Sequence, residues 1–394
     1  MIAERRAGGL RGKALLAIGA LAFAAAVLEL GARLYLRYLA SPDRFLKYAS
    51  ISQLESRADA QPRLSPHRYL GYAPTRGYSR GPNRHNALGF RGAEVSMPKP
   101  PAVYRIACLG GSTTYGDGVD DWRLTYPALL QDSLRAWGVS EVEVVNAGVP
   151  GYSSYESVIN LEFRVLDLHP DLVFFYEAIN DVYPRLVWPP SAYLGDNSGF
   201  LGDKWPFEGP SLLERSTLAR AIMIKLHLIL PQPTLSRALG PPAPTSYAVR
   251  FGEQRKNGTY PSGPFRQVSV RTMLDSNPPK YWERNLRTLI AVARANGIRP
   301  VLATLAYSAG FPWLSESPEY REAIAENNDV LRQVAREMAV PVVDLAKVIP
   351  GDPRYFTDGV HFTEDGNGVM AHLIGSFLIA RRLVPRTRAD RRPP

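Results

Sequence analysis

The sequence predicts an α/β protein built on a five-stranded parallel sheet. Three observations predict it. Short, mostly apolar runs alternate with segments of helical spacing, which is the pattern of βαβ units. One run, Leu172–Tyr176, is apolar throughout, as a strand covered on both faces requires. Composition agrees, because 45% apolar and 21% charged residues exclude intrinsic disorder.

The elements follow in order. Residues 1–13 form a short basic tail, with Arg5, Arg6, Arg11 and Lys13 against Glu4. Residues 14–36 read as a transmembrane signal-anchor. Ala14 to Leu28 carries no charge, and Glu29 is followed at i+4 by Arg33, which can pair with it. Tyr35 and Tyr38 stand where an interfacial aromatic belt would sit. A cleaved signal peptide competes with this reading, with Ala22-Phe23-Ala24 or Ala24-Ala25-Ala26 as the cleavage site. Positive residues lie on both sides of the span, so the inside bias is weak. The expectation is a single-pass membrane protein with the short tail inside and the large domain extracytoplasmic.

Residues 39–100 are rich in Pro, Gly, Arg and Tyr and read as a membrane-proximal stalk. The repeating pattern covers residues 101–382. Strands are expected at Tyr104–Leu109, Val142–Val145, Leu172–Tyr176, Pro300–Leu305 and Val340–Val343. Helices are expected at Pro127–Trp137, Tyr155–Leu168, Tyr281–Ala295, Pro318–Met338 and Gly366–Leu383. Between Asp181 and Lys280 the alternation stops, which makes 182–280 an insertion, either packing or a lid. Its one helix candidate is Ser216–Leu230, where Lys225 and His227 argue against a second span. Residues 383–394 close the chain as a second basic tail.

Charge and cysteine narrow the function classes. The net charge of +10 sits mainly in the two tails, leaving a nearly neutral body. With one tail flanking an apolar segment, lipid is the expected partner and nucleic acid is not. A single cysteine, Cys108, rules out an internal disulfide and a zinc site of several thiolates. The six histidines show no metal-ligand spacing, so no metal or cofactor is expected.

Ligands of open parallel sheets bind beyond the carboxyl ends of the strands. Four loops there carry reactive groups: Gly110-Gly111-Ser112-Thr113, Asn146 to Ser153, Glu177-Ala178-Ile179-Asn180-Asp181, and Asp358-Gly359-Val360-His361. Singly each is weak. Together they supply a hydroxyl, a close backbone approach, a side-chain amide and a carboxylate–imidazole pair, the inventory for acyl transfer. Glu177 and Arg185 flank the third block, and Glu177 reads equally as a satisfied strand-end carboxylate or a substrate contact.

These blocks, in this order, resemble the SGNH hydrolases, also called the GDSL esterases. Two departures stand out. The nucleophile block is Gly-Gly-Ser-Thr rather than Gly-Asp-Ser-Leu, and Ala178 stands where the family usually has Gly. The resemblance implies a flavodoxin-like three-layer α/β/α sandwich. It implies Ser112 as nucleophile, His361 as base and Asp358 as the group that orients it. The oxyanion would be met by the backbone N–H of Ser112, by Gly151 and by the Asn180 amide. The anchor and stalk resemble membrane-bound members associated with bacterial cell-surface polysaccharides. The expected activity is hydrolysis of O-acyl, foremost O-acetyl, esters on an extracytoplasmic glycan. An O-acyltransferase, a lipid-directed acylhydrolase and a non-catalytic glycan-binding module are the alternatives. A decoy, Gly77-Tyr78-Ser79-Arg80-Gly81, fits a nucleophile elbow, but Pro74 and Pro82 deny it the strand and helix that an elbow needs.

Overall fold

The structure, a computed structural model, describes residues 2–50, 53, 62–67, 69–201, 212–229, 231 and 245–385. The chain divides into two compact units, Met1–Arg63 with Pro206–Ala238, and Leu64–Trp205 with Leu239–Pro394. The arginines from Arg386 onward, part of the expected basic tail, lie outside the described residues.

In the first unit, a helix over Ile2–Leu34 runs into a widened turn at Tyr35–Leu39. Leu15–Leu39 is long and apolar enough to cross a membrane, and no residue of its most apolar window is buried. The expected pair is present, with Arg33 Nε donating to Glu29 Oε1 at 2.7 Å. A short helix follows at Pro42–Tyr48, capped by the Ser41 hydroxyl, which accepts from the Arg44 N–H. The unit also contains a helix at Thr217–Lys225, shorter than the Ser216–Leu230 expected.

The second unit holds nine strands. β1 (Leu64–His67) pairs with β2 (Gly71–Pro74), and β3 (Ser79–Arg80) with β4 (Asn83–Arg84), all antiparallel. The main sheet is β5 (Tyr104–Gly110), β6 (Val142–Gly148), β7 (Leu172–Tyr176), β8 (Arg299–Ala303) and β9 (Val342–Val343). It is parallel throughout, in the order β6-β5-β7-β8-β9. The chain starts in the middle, moves to one edge, then crosses back over the first strand. That reversal falls between β5 and β7, and the crevice it opens is where such sheets bind ligands.

Burial explains the strands. Ile106, Ala107, Cys108 and Leu109 of β5 and all five residues of β7 are sealed from solvent. Strands covered on both faces need no polar alternation, hence the continuous apolar runs. Helices supply the cover. Lys280–Ala295 buries Trp282, Leu286, Leu289, Ile290 and Ala293, one face of a 3.6-residue period. It closes where expected, with Gly297 in the left-handed region at φ +69°. Each fully buried leucine or isoleucine contributes about 1.5–3 kcal/mol. Helices Tyr126–Ala136 and Glu364–Ala380 pack together, and Lys280–Ala295 packs on Ser154–Asn160 and Pro318–Glu337. The result is a three-layer α/β/α sandwich.

Some elements differ from the expectation. Tyr155–Leu168 is not one α-helix: it is α-helical over Ser154–Asn160, widened over Leu161–Val165, and tight over Leu166–Leu168. Arg164 bonds Asn160 Oδ1 at 2.9 Å and the Gly89 carbonyl at 3.1 Å, contacts that helical periodicity does not encode. The insertion also carries helices at Ala248–Lys256 and Val270–Ser276, the first interrupted by Gly252 and the second a mere seven residues. Of residues 39–100, those from Leu64 onward belong to the same unit as the sheet. Arg91 fixes them there: its guanidinium donates to the carbonyls of Tyr115, Gly116, Val119 and Asp120 at 2.7–2.9 Å.

Candidate active site

The site begins where β5 ends. Gly110 has φ +154°, and a Cβ there would stand 2.1 Å from the Tyr176 carbonyl. A Cβ on Gly111 would stand 2.3 Å from Glu177 Oε2 and 2.5 Å from Asn180 Nδ2. No side chain fits at either position, so the Gly-Gly pair lets β5 turn hard against the end of β7. Ser112 then opens a single helical turn, Ser112–Tyr115, which Gly116 ends at φ +93°. Thr114 pins that turn with a hydroxyl bond to the Tyr176 carbonyl at 3.1 Å.

The Asp-x-x-His block approaches from the far end of the chain. His361 Nε2 lies 2.7 Å from Ser112 Oγ, and its Nδ1 lies 2.7 Å from Asp358 Oδ2. A carboxylate can only accept, so the Nδ1 hydrogen donates to Asp358 and Nε2 accepts from the serine hydroxyl. Asp358 Oδ1 accepts the backbone N–H of Val360 at 3.1 Å and of His361 at 3.0 Å. One carboxylate therefore folds its own loop and orients the ring. Gly359, at φ +105°, permits the bend. Thr363 then caps the closing helix through the Gly366 N–H at 3.2 Å.

Electrostatics separate the two residues. Burial pulls the His361 pKa down, but the hydrogen bond and charge of Asp358, with Asp117 and Glu177, outweigh it and raise it. Burial raises Asp358, but the His361 hydrogen bond and charge and the two loop N–H groups hold it below the usual range.

The asparagine block is arranged around Glu177, which is fully buried. Its Oε1 accepts the N–H groups of Ala178 at 3.0 Å and Asn180 at 2.9 Å; its Oε2 accepts the Gly111 N–H at 2.9 Å. Burial pushes this carboxyl up to about 7, against those hydrogen bonds and the charge of His361. The Asn180 amide lies beside Gly111 and donates to the Tyr152 carbonyl at 2.9 Å and to Glu177 Oε2 at 3.3 Å. Asp181 anchors the next helix by accepting the Ser154 N–H at 2.8 Å and its hydroxyl. Gly151 has φ +80°, next to Pro150, whose carbonyl accepts the Tyr72 hydroxyl at 2.7 Å.

The structure thus brings Ser112, His361 and Asp358 into one hydrogen-bonded chain and places Asn180 against the turn that carries Ser112. Glu177, weighed in the sequence as either a strand-end carboxylate or a substrate contact, ties the turn before Ser112 to the asparagine block. Arg91 was missed. Its signal would have been a lone arginine in a Gly-rich stretch, which specifies nothing without its long-range partners. Ser79, the decoy, lies on an exposed two-residue strand. Arg185 is buried, bonded to the Asn277 and Leu274 carbonyls and to Glu326. Among the described residues no cluster of three His, Cys, Asp or Glu could hold a metal.

A hydroxyl bonded to an imidazole that is itself held by a carboxylate is the arrangement acyl transfer through a serine requires. The comparisons with known proteins agree with that class. The lipase/acylhydrolase from Enterococcus faecalis is 19% identical, with TM-score 0.41 over 71% of this chain and 97% of that one. An acetyl xylan esterase from Geobacillus stearothermophilus is 15% identical, with TM-score 0.41 over 70% and 96%. No curated protein matches the chain. Residues 108–254 and 262–369 match the GDSL-like lipase/acylhydrolase family, and the chain belongs to that family.

Proposed function

We propose that this protein is a membrane-anchored serine esterase that removes O-acyl groups, acetyl foremost, from an extracytoplasmic glycan. The hydrogen-bonded chain Ser112–His361–Asp358 carries the reading. Ser112 Oγ attacks the ester carbonyl while His361 Nε2 takes its proton. The same nitrogen returns the proton to the leaving alcohol, and a water then repeats the cycle on the acyl-enzyme. Asp358 keeps the other ring proton on Nδ1 and stabilises the imidazolium. Developing negative charge on the carbonyl oxygen is met by the Ser112 backbone N–H, the Gly151 N–H and the Asn180 amide. Both Asn180 amide hydrogens have partners in the ligand-free site, the longer bond being to Glu177. Substrate draws on that weaker bond.

The membrane assignment rests on the exposed apolar helix Leu15–Leu39. We read it as the single span of a signal-anchor, with the hydrolase domain outside. The test incubates the full-length protein in detergent with an acetylated glycan, with and without a second glycan as acceptor. Released acetate and transferred acetyl are measured together. Acetate release that disappears in Ser112→Ala is the expected result. Transfer to the acceptor without net release would make the protein an acyltransferase.

A further inference from the structure

We propose that the helix Thr217–Lys225 lies in the membrane interface, as a second lipid-contacting element beside the span. The inference rests on reading Leu15–Leu39 as that span. The first observation is where the helix is held. Glu29, within the apolar helix, accepts from the Ser216 hydroxyl at 2.7 Å and from the backbone N–H groups of Thr217 and Leu218, each at 2.9 Å. A carboxylate in an apolar span is expensive unless its bonds are satisfied. Here they are satisfied by Arg33 and by the first turn of this helix, whose dipole favours a negative charge. Glu29 is one helical turn, about 6 Å, before Arg33, where the apolar run gives way to charge. The start of the helix is therefore fixed at the depth where hydrocarbon meets headgroups.

The second observation is which way the helix faces. Thr217, Arg220 and Ile224 are its buried face. Arg220 Nε donates to the Ala49 carbonyl at 3.1 Å. The opposite stripe, at a spacing of four, is Leu218, Ile222 and then Leu226 just past the helix end. Ile222 is 48% exposed and Leu226 63%; Leu213 and Leu228 at either end are 65% and 68% exposed. A helix that faces water carries polar residues on this stripe. This one turns isoleucine and leucine outward, beside a span whose own apolar surface is bare.

The third observation is charge. Arg215 and Lys225 are exposed at the two ends of the helix. A groove of about 460 Å³ beside it is lined by Tyr35, Leu36, Arg44, Tyr48, Ala221 and Lys225. Cations and tyrosines around an apolar stripe suit a headgroup layer, with Lys225 reaching out of the acyl region. The committed occupant is the bilayer surface of the membrane that the chain itself spans. Lys225 and His227 exclude a second crossing, and an interfacial helix needs none.

The experiment uses the full-length protein in liposomes. An environment-sensitive fluorophore is placed on Ile222→Cys, Leu226→Cys, Leu21→Cys in the span, and Val249→Cys as a water-facing reference. Cys108 stays unlabelled, being fully buried with its thiol pushed up to about 12. Lipids brominated near the headgroup should quench the labels at 222 and 226 at least about twofold more than lipids brominated mid-chain. The label at 21 should show the reverse order, and that at 249 neither. Labels at 222 and 226 as wet as that at 249, with 21 still quenched, would overturn the interfacial helix and leave the span standing. Blue-shifted but unquenched labels at 222 and 226 would overturn it too, by showing protein rather than lipid against that face. An unquenched label at 21 would remove the span, and the proposal with it.

Discussion

Two carboxylates share this site and are driven in opposite directions. Asp358 sits on a half-exposed loop, hydrogen-bonded to an imidazole and two N–H groups, and its pKa is lowered. Glu177 is sealed beneath the serine turn, bonded to backbone and amide N–H groups with no cation in contact, and its pKa is raised to about 7. Backbone N–H groups face both. What differs is burial and the presence of a partner that can carry charge. The comparison assigns them separate work. Asp358 is a charge that acts on His361. Glu177 is a brace whose hydrogen bonds hold Gly111 and Asn180, at the expense of burying an ionisable group.

The largest effects should come from breaking the Asp358 side of this comparison at its far end. Ser112→Ala should reduce kcat for a short-chain aryl ester by about 10⁶, and His361→Ala by nearly as much, because members of such a chain act as a unit. Both variants should keep the parental circular dichroism. Parental activity in Ser112→Ala would remove the nucleophile assignment, and Ser79→Ala is the matched control.

Asp358→Asn comes next, at about 10⁴ in kcat, since an amide holds the ring in place but can stabilise the wrong tautomer. The pH profile sharpens it. Activity needs neutral His361, so it should rise with pH. Because Asp358 raises the His361 pKa, the midpoint of that limb should lie above the ordinary 6.5. Removing the charge removes part of that raise, so the residual activity of Asp358→Asn should climb at lower pH than the parent's. A limb that does not move would mean that Asp358 folds the loop without acting on the ring.

Asn180→Ala should cost about 10²–10³ in kcat with little change in KM, as for one oxyanion donor. A change confined to KM would make the amide a substrate contact.

How much of this could be read from sequence depends on the range of the contacts. β5, β7 and the helix Lys280–Ala295 were legible because burial writes itself as local periodicity. The Asp358–His361 pair was legible because three residues on one loop suffice to join a carboxylate to an imidazole. Arg91 was not legible: it earns its place by meeting four carbonyls between Tyr115 and Asp120, and a coil between prolines gives no sign of that. The widened turn at Leu161–Val165 was equally hidden, since its extra residue is fixed by Arg164 and distant carbonyls. Glu177 falls between. Its place after an apolar strand was visible, but whether it faced solvent or the serine turn depended on how closely Gly111 could approach.

The smallest expected effect tests the Glu177 side, and its readout is stability. The folded-state pKa, about 7, lies above the model value of 4.5, so the folded protein holds this proton more tightly than the unfolded chain. The contribution is fully present below pH 4.5 and is lost as pH rises toward and through 7. A separation of this size corresponds to about 3 kcal/mol at most. In Glu177→Gln nothing titrates at this position. The variant loses an acceptor for one of the backbone N–H groups, so it should be the less stable protein at acid pH. Its deficit should then shrink by up to about 3 kcal/mol between pH 4.5 and 8 as the parent is forced to ionise a buried carboxyl. Urea unfolding of both proteins across that range measures the deficit directly. His361 titrates in the same window and its charge acts on Glu177, so the pair of curves is repeated in the His361→Ala background. There the shrinkage should be larger, because the cation that favours ionised Glu177 is gone. A deficit that stays constant with pH in both backgrounds would mean that Glu177 keeps an ordinary pKa and that its N–H partners fully offset its burial.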